Sequence, residues 1–241
     1  MLNNSSVWDI CDNSVQTELE KIQSYFFKVL LQVPNSCPRP AFAYEADVLQ
    51  MKYRVYGRIL NFLKHVHSHS DSNLSNQVLL EQLANDWPGL SKVGKVIMTE
   101  LGVTGAFDSE VSKTNFRKTV KDACKRRNEE SLVNDIQNYK KMKALRDEVV
   151  KGNKYFFQES LNDVRMIFRF RIELIEAKIN FKNKPEYKKE KYLCDSCESE
   201  CDENTHVLFC WAYKSLREGK NLNSDVDLSE YLRKVLKIRS E

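Results

Sequence analysis

Apolar residues recur at intervals of three and four along most of the chain, a spacing that predicts amphipathic α-helices. Only 7 Gly and 5 Pro interrupt the pattern, so we predict an all-α fold, an irregular array of many helices. Helices are predicted at about residues 14–33, 43–66, 74–83, 90–101, 108–151 and 155–181, with a final helix capped by Asp225 or Asp227.

Three of these helices carry apolar stripes that we expect to face a core. In the first helix the stripe comprises Val15, Leu19, Ile22, Phe26 and Val29. In the second it comprises Val48, Met51, Val55, Ile59 and Phe62. In the helix at 155–181 it comprises Leu161, Val164, Phe168, Ile172, Ile175 and Ile179. The loop after the first helix contains Pro34, Pro38 and Pro40, and we expect these prolines to prevent a helix there.

Charge divides the chain into three parts. Residues 1–110 and 194–241 each carry a net charge of −3, whereas residues 111–193 carry +10 within a whole-chain total of +4. We therefore expect a helical region at 1–110, a basic long-helix region at 111–193 and a small module at 194–241. A polyanion is the natural partner of the basic region.

The basic region contains cations at helical spacing. The candidate contacts to nucleic acid are Lys118, Lys121, Lys125, Arg126 and Arg127, followed by Lys140, Lys141 and Lys143. Such a stripe can bind RNA or DNA through backbone phosphates without reading bases. The alternative is a helix face whose cations are simply solvated.

The C-terminal module contains Cys194, Cys197, His206 and Cys210, a C-x2-C-x8-H-x3-C array. These ligand types at this spacing predict a structural Zn²⁺ site, because so short a segment cannot bury much apolar area. A helix beginning near Thr205 would present His206 and Cys210 to one ion.

Alternatives to this ligand set remain open. Cys201 could replace His206 or Cys210, or all of these residues could be ordinary reduced thiols. The loop between the ligands is acidic, and we expect Phe209 to cover the metal. Phe209, Trp211 and Tyr213 are also candidates for stacking on a base.

Other features narrow the class of protein. The odd number of Cys, 7, argues against a disulfide framework, and no apolar run approaches the length of a membrane span, so we expect an intracellular protein of the nucleus or cytoplasm. No phosphate-binding glycine loop, nucleophile elbow or metalloprotease motif occurs, and no small-molecule substrate is expected. His65, His67 and His69 are interpreted as a polar helix end.

The order of these motifs resembles the region downstream of the polymerase core in LINE-type, non-LTR retrotransposon reverse transcriptases. The first part of the resemblance is the stretch 19–38, LEKIQSYFFKVLLQVPNSCP, followed at 49–55 by LQMKYRV. The second part is the Cys-Cys-His-Cys array with Tyr213 and Leu216-Arg217 after it, which is similar to the zinc knuckle at the end of many such polyproteins.

The resemblance implies a helical, zinc-tipped fragment that holds template RNA or target DNA while a reverse transcriptase core domain polymerises. Polymerases of this kind need an aspartate pair for two metal ions, and no Asp-Asp occurs in the sequence. We therefore expect a non-catalytic fragment rather than an enzyme. The alternative function is a structural or protein-interaction helical protein with a zinc-stabilised tip.

Overall fold

The computed structural model describes residues 13–108, 110–138, 156, 159–172, 174, 193–198 and 204–240. Within these residues the chain is helical and contains no β-strand, which confirms the all-α fold. The helices are α1 (Asn13–Leu31), α2 (Arg39–Glu45), α3 (Met51–His67), α4 (Leu74–Ala84), α5 (Leu90–Leu101), α6 (Lys113–Asn138), α7 (Leu161–Arg171), α8 (Asn204–Phe209), α9 (Lys214–Arg217) and α10 (Asp225–Ser240). A short 3₁₀ turn, Trp211–Tyr213, lies between α8 and α9.

The chain forms two compact units. Unit one comprises Met1–Phe26 and Val48–Val133, and unit two comprises Phe27–Asp47 and Asn134–Glu241. Each unit therefore takes residues from both the predicted helical region and the predicted basic region. The boundaries predicted at residues 110 and 193 reflect charge and motif content, and they stay a prediction.

Unit one has a core built from α3, α5 and α6. Its fully buried side chains include Ile59, Leu60, Leu101 and Phe116. The C-terminus of α5 is closed by Gly102, which adopts the left-handed conformation at φ 65° and donates to the carbonyls of Met98 and Thr99. The helix predicted at 90–101 is thus confirmed with these bounds.

The predicted stripe of α1 was largely wrong. Leu19 is buried, but Ile22, Phe26 and Val29 are 46%, 60% and 57% exposed. Gln23 is buried instead and donates its side-chain amide to the carbonyl of Leu49. Periodicity located the helix, but a second, slightly rotated face of the same helix makes the packing contacts.

The second predicted helix, 43–66, is two helices in the structure. The chain turns at Asp47, where φ is 48°, and α3 then begins after the extended residue Gln50. Pro38 and Pro40 also begin α2 rather than prevent a helix, because proline suits the first turn, whose N–H groups lack helical partners. Within α3, Val55 and Ile59 are buried as predicted, whereas Phe62 is 40% exposed.

Unit two is held by packing of α10 against α7 and by ion pairs. Arg171 of α7 pairs with Glu45 of α2 at 2.9 Å, and both side chains are almost completely buried. Arg233 of α10 pairs with Asp163 at the start of α7. The hydrogen bonds to Ser160 and Arg233, with the charge of Arg233, outweigh desolvation and hold the pKa of Asp163 below its usual value.

Helix α7 is shorter than the predicted helix at 155–181. Ser160 is extended and its hydroxyl accepts from the Asp163 N–H, so the helix starts at Leu161. Val164, Phe168 and Ile172 are buried as predicted, whereas Leu161 is exposed. Ile175 and Ile179 lie outside the described residues.

The last helix begins at Asp225, so Asp225 and Asp227 both lie in its first turn rather than before it. Their negative charges still suit the N-terminal end of the helix dipole. Among the described residues, no helix combines the length and apolar character needed to span a membrane.

Candidate functional site

The predicted metal ligands lie together in unit two. Cys194, Cys197, His206 and Cys210 are all buried, and their ligating atoms all lie within 4.8 Å of one another. Cys197 Sγ is 3.3 Å from His206 Nε2, and Cys194 Sγ is 3.9 Å from Cys210 Sγ. A single metal ion could therefore contact all four residues. In the part of the chain that the structure describes, no other group of three or more His, Cys, Asp or Glu side chains is arranged in this way.

Two local structures bring the ligands together. A tight turn follows Cys194, in which the Glu198 N–H donates to the Cys194 carbonyl at 2.7 Å and Glu198 adopts φ 56°. Helix α8 begins at Asn204, as expected, and the Cys210 N–H donates to the His206 carbonyl at 2.6 Å. His206 and Cys210 are thus one helical turn apart and share a face. The alternative ligand Cys201 lies outside the described residues.

The thiols of the cluster are crowded. Burial, with the neighbouring thiols of Cys194 and Cys197, raises the pKa of Cys210 to about 11, although a backbone hydrogen bond from Ala212 acts in the opposite direction. The thiolate is the form that binds metal. A cation at the centre of the cluster would therefore supply the positive charge that these sulfur atoms need in order to lose their protons.

Residues that were not predicted from the sequence support the cluster. Arg217 of α9 donates to the Cys210 carbonyl at 2.6 Å, and the Tyr231 hydroxyl of α10 donates to the Val207 carbonyl. Arg239 of α10 donates to Cys194 Sγ at 3.8 Å and to the Tyr213 hydroxyl at 3.2 Å. The final helix therefore supplies the second layer of contacts, and no local spacing rule could have assigned Arg239 to it.

The aromatic residues around Cys210 differ from the expectation. Phe209 is 70% exposed and does not cover the cluster, and Trp211 is 63% exposed. Tyr213 is buried and bonded to Arg239, so it is not available to stack on a base. Val207, two residues before Phe209 and so on the opposite side of α8, is fully buried.

The predicted basic stripe lies on α6 of unit one, and its members have different roles. Lys118, Lys121 and Lys125 are exposed, and Lys125 makes a 3.9 Å pair with Glu129. Arg126 and Arg127 donate to the carbonyls of Leu101 and Glu100 at 3.4 and 3.1 Å, which satisfies the open end of α5. These two arginines therefore have a structural role in addition to their charge.

Lys118 and Lys121 form no ion pair with any residue that the structure describes. Among the described members of the predicted stripe, these two lysines are the most available to bind an external anion. Lys140, Lys141 and Lys143 lie outside the described residues.

Among the described residues, the remaining cysteines and histidines form no second cluster of metal ligands. Cys37 and Cys124 are buried and unpaired, and burial raises the pKa of each to about 11, as expected for inert thiols. The rings of His65 and His69 meet edge to face at the end of α3, with centroids 4.6 Å apart. This agrees with the interpretation of the histidines as a polar helix end.

Comparison of the chain with protein-family models, curated proteins and solved structures gives no match. The resemblance to LINE-type reverse transcriptases therefore stays a prediction.

Proposed function

We propose that this chain is a non-catalytic nucleic-acid-binding protein of the kind that follows the polymerase core of non-LTR reverse transcriptases. Its partner would be the phosphate backbone of RNA or DNA. The observation that carries the proposal is the cationic face of α6, where Lys118 and Lys121 are exposed and have no ion-pair partner within the described part of the chain. Counterion release from phosphates makes such a face a sequence-independent binding surface.

In this proposal the metal ion is Zn²⁺ and its role is structural. A tetrahedral site with Zn–S of about 2.3 Å and Zn–N of about 2.0 Å has S···S edges of about 3.8 Å and S···N edges of about 3.5 Å. The observed separations of 3.9 and 3.3 Å lie close to these values. Four protein ligands leave no open coordination position, and closed sites of this type stabilise folds rather than activate water.

The test is a binding titration of the zinc-loaded protein with fluorescent single-stranded RNA and with duplex DNA at two salt concentrations. We expect affinity that falls steeply with salt, and we expect Lys121→Glu to weaken it. Lys92→Glu is the matched control, because Lys92 is an exposed lysine of α5 that lies 4.0 Å from Asp86. Equal losses in the two variants, or an affinity that does not change with salt, would count against the proposal.

A protein-interaction scaffold is the second candidate, and the surface beside the metal cluster favours it. Asp195 and Glu198 are exposed there, and the exposed side chains of Phe209 and Trp211 flank Cys210. Acidic groups repel phosphate, so this face suits a protein with a basic and apolar surface. Stoichiometric zinc without any affinity for RNA or DNA would support this second function.

A further inference from the structure

Unit one contains an open groove between α3 and α6 with a volume of about 520 Å³. Four cations line it: Arg54 and Arg58 from α3, and Arg117 and Lys121 from α6. All four side chains belong to exposed residues, and no Asp or Glu is among the lining residues. Of these four, only Lys121 belonged to the stripe predicted from the sequence.

The spacing of the cations follows from helix geometry. Arg54 and Arg58 are four residues apart, as are Arg117 and Lys121, so each pair repeats along its helix at about 6 Å. The structure places one pair on each wall of the groove. Two rows of positive charge therefore line a channel whose floor is formed by Gly57, Val120 and Cys124, of which Val120 and Cys124 are buried.

The electrostatic environment extends beyond the groove. Desolvation, the neighbouring His69 and the positive charges of Lys113 and Arg117 hold the pKa of His65 below its usual value. This edge of α6 thus faces α3 with positive charge, and no Asp or Glu is among the residues that line the groove. Positive potential concentrated in a concave site attracts anions more strongly than the same charges spread over a convex surface.

We propose that this groove holds the phosphate backbone of a single-stranded nucleic acid, in preference to a duplex. This inference rests on the proposed function and identifies where and what the protein binds. Helices in contact have axes about 8–10 Å apart. The width of a groove between two such helices therefore fits the backbone of one strand but not both strands of a duplex. Each wall can contact successive phosphates of that strand.

Recognition in this groove should not depend on base identity. Tyr53 is the lining aromatic residue, and it is 7% exposed, so it offers no platform on which a base can stack. The contacts would be to phosphate, with the bases turned outward. Oligo(dT) and oligo(dA) should therefore bind with similar affinity at the same salt concentration.

Two exposed cations of unit one provide a matched test. Arg117 lines the groove and Lys92 of α5 does not, although both are exposed and both carry one positive charge. We expect Arg117→Glu to weaken the binding of fluorescein-labelled oligo(dT) by at least about tenfold and Lys92→Glu to weaken it by no more than about twofold. Arg117→Gln should also lower the slope of log K against log salt by about one.

Arg58→Glu tests the opposite wall and should behave like Arg117→Glu. Far-UV circular dichroism and thermal melting of each variant separate loss of contact from loss of fold, and Arg58→Gln serves where the reversal destabilises the protein. Equal effects of Arg117→Glu and Lys92→Glu, or tighter binding of a duplex than of oligo(dT), would overturn the groove proposal and leave the proposed function standing. Failure of the wild-type protein to bind either probe would refute both.

Discussion

Replacement of Arg239 tests whether the final helix raises the affinity of the cluster for zinc. Three thiolates and a neutral histidine around Zn²⁺ leave a net charge of −1, and the Arg239 guanidinium lies 3.8 Å from Cys194 Sγ. Arg239→Gln removes the positive charge and leaves a shorter, uncharged polar side chain. We expect the affinity for zinc to fall.

The expected size follows from this distance. Two unit charges about 4 Å apart attract each other by about 1 kcal/mol in water and by about 4 kcal/mol at an effective dielectric constant of about 20. Arg239 is half-buried, so the structure points to a value between these limits. At about 1.4 kcal/mol per tenfold change in affinity, the limits correspond to about fivefold and several hundredfold. Loss of a group that supports metal ligands typically costs about 10- to 100-fold, which lies inside this interval.

The assay is competition for zinc between the protein and a chromophoric chelator. Lys234→Gln is the control, because Lys234 is an exposed cation of the same helix that pairs with Glu230 at 2.8 Å. Arg239→Lys separates the contribution of charge from that of the hydrogen bond to Tyr213. A zinc Kd for Arg239→Gln within about twofold of the control would refute the prediction that Arg239 stabilises the bound zinc.

Three further predictions concern the metal and the two cores. Cys210→Ser should abolish the binding of stoichiometric zinc. Zinc binding by the wild-type protein should release protons and become tighter as the pH rises, because a thiol with a pKa of about 11 is protonated at neutral pH. Calorimetry in buffers of different ionisation enthalpy measures the released protons, and finding none would contradict this prediction. Gly94→Ala should destabilise unit one by about 1–3 kcal/mol, since its Cβ would lie 2.2 Å from Leu63 Cδ1, and an unchanged urea midpoint would argue against such close packing. Arg171→Met should lower the free energy of unfolding in urea by about 3–5 kcal/mol, because it leaves the Glu45 carboxylate buried without its cation. The double variant Arg171→Met/Glu45→Leu should regain most of that free energy, and no regain would show that the pair does not act through charge compensation.

The sequence alone located the metal cluster and most of the helices, because both depend on local spacing. The C-x2-C pair sits in one turn and the H-x3-C pair spans one turn of helix, so each pair is positioned by the few residues between its members. The two pairs then need only a short connection to meet. The stop at Gly102 is local in the same sense, because it depends on the conformation that one glycine can adopt.

Tertiary structure decided what lies next to these local elements. Arg239 contacts Cys194 across 45 residues of sequence. The groove brings cations of α3 next to cations of α6, although α4 and α5 lie between these two helices in the sequence. Helical periodicity says that a helix has an apolar face but not which neighbour will cover it, and for α1 the predicted stripe stays largely exposed. The physical reason is that contacts between distant segments depend on how side-chain volumes and charges from several helices fit together, and no spacing within one segment contains that information.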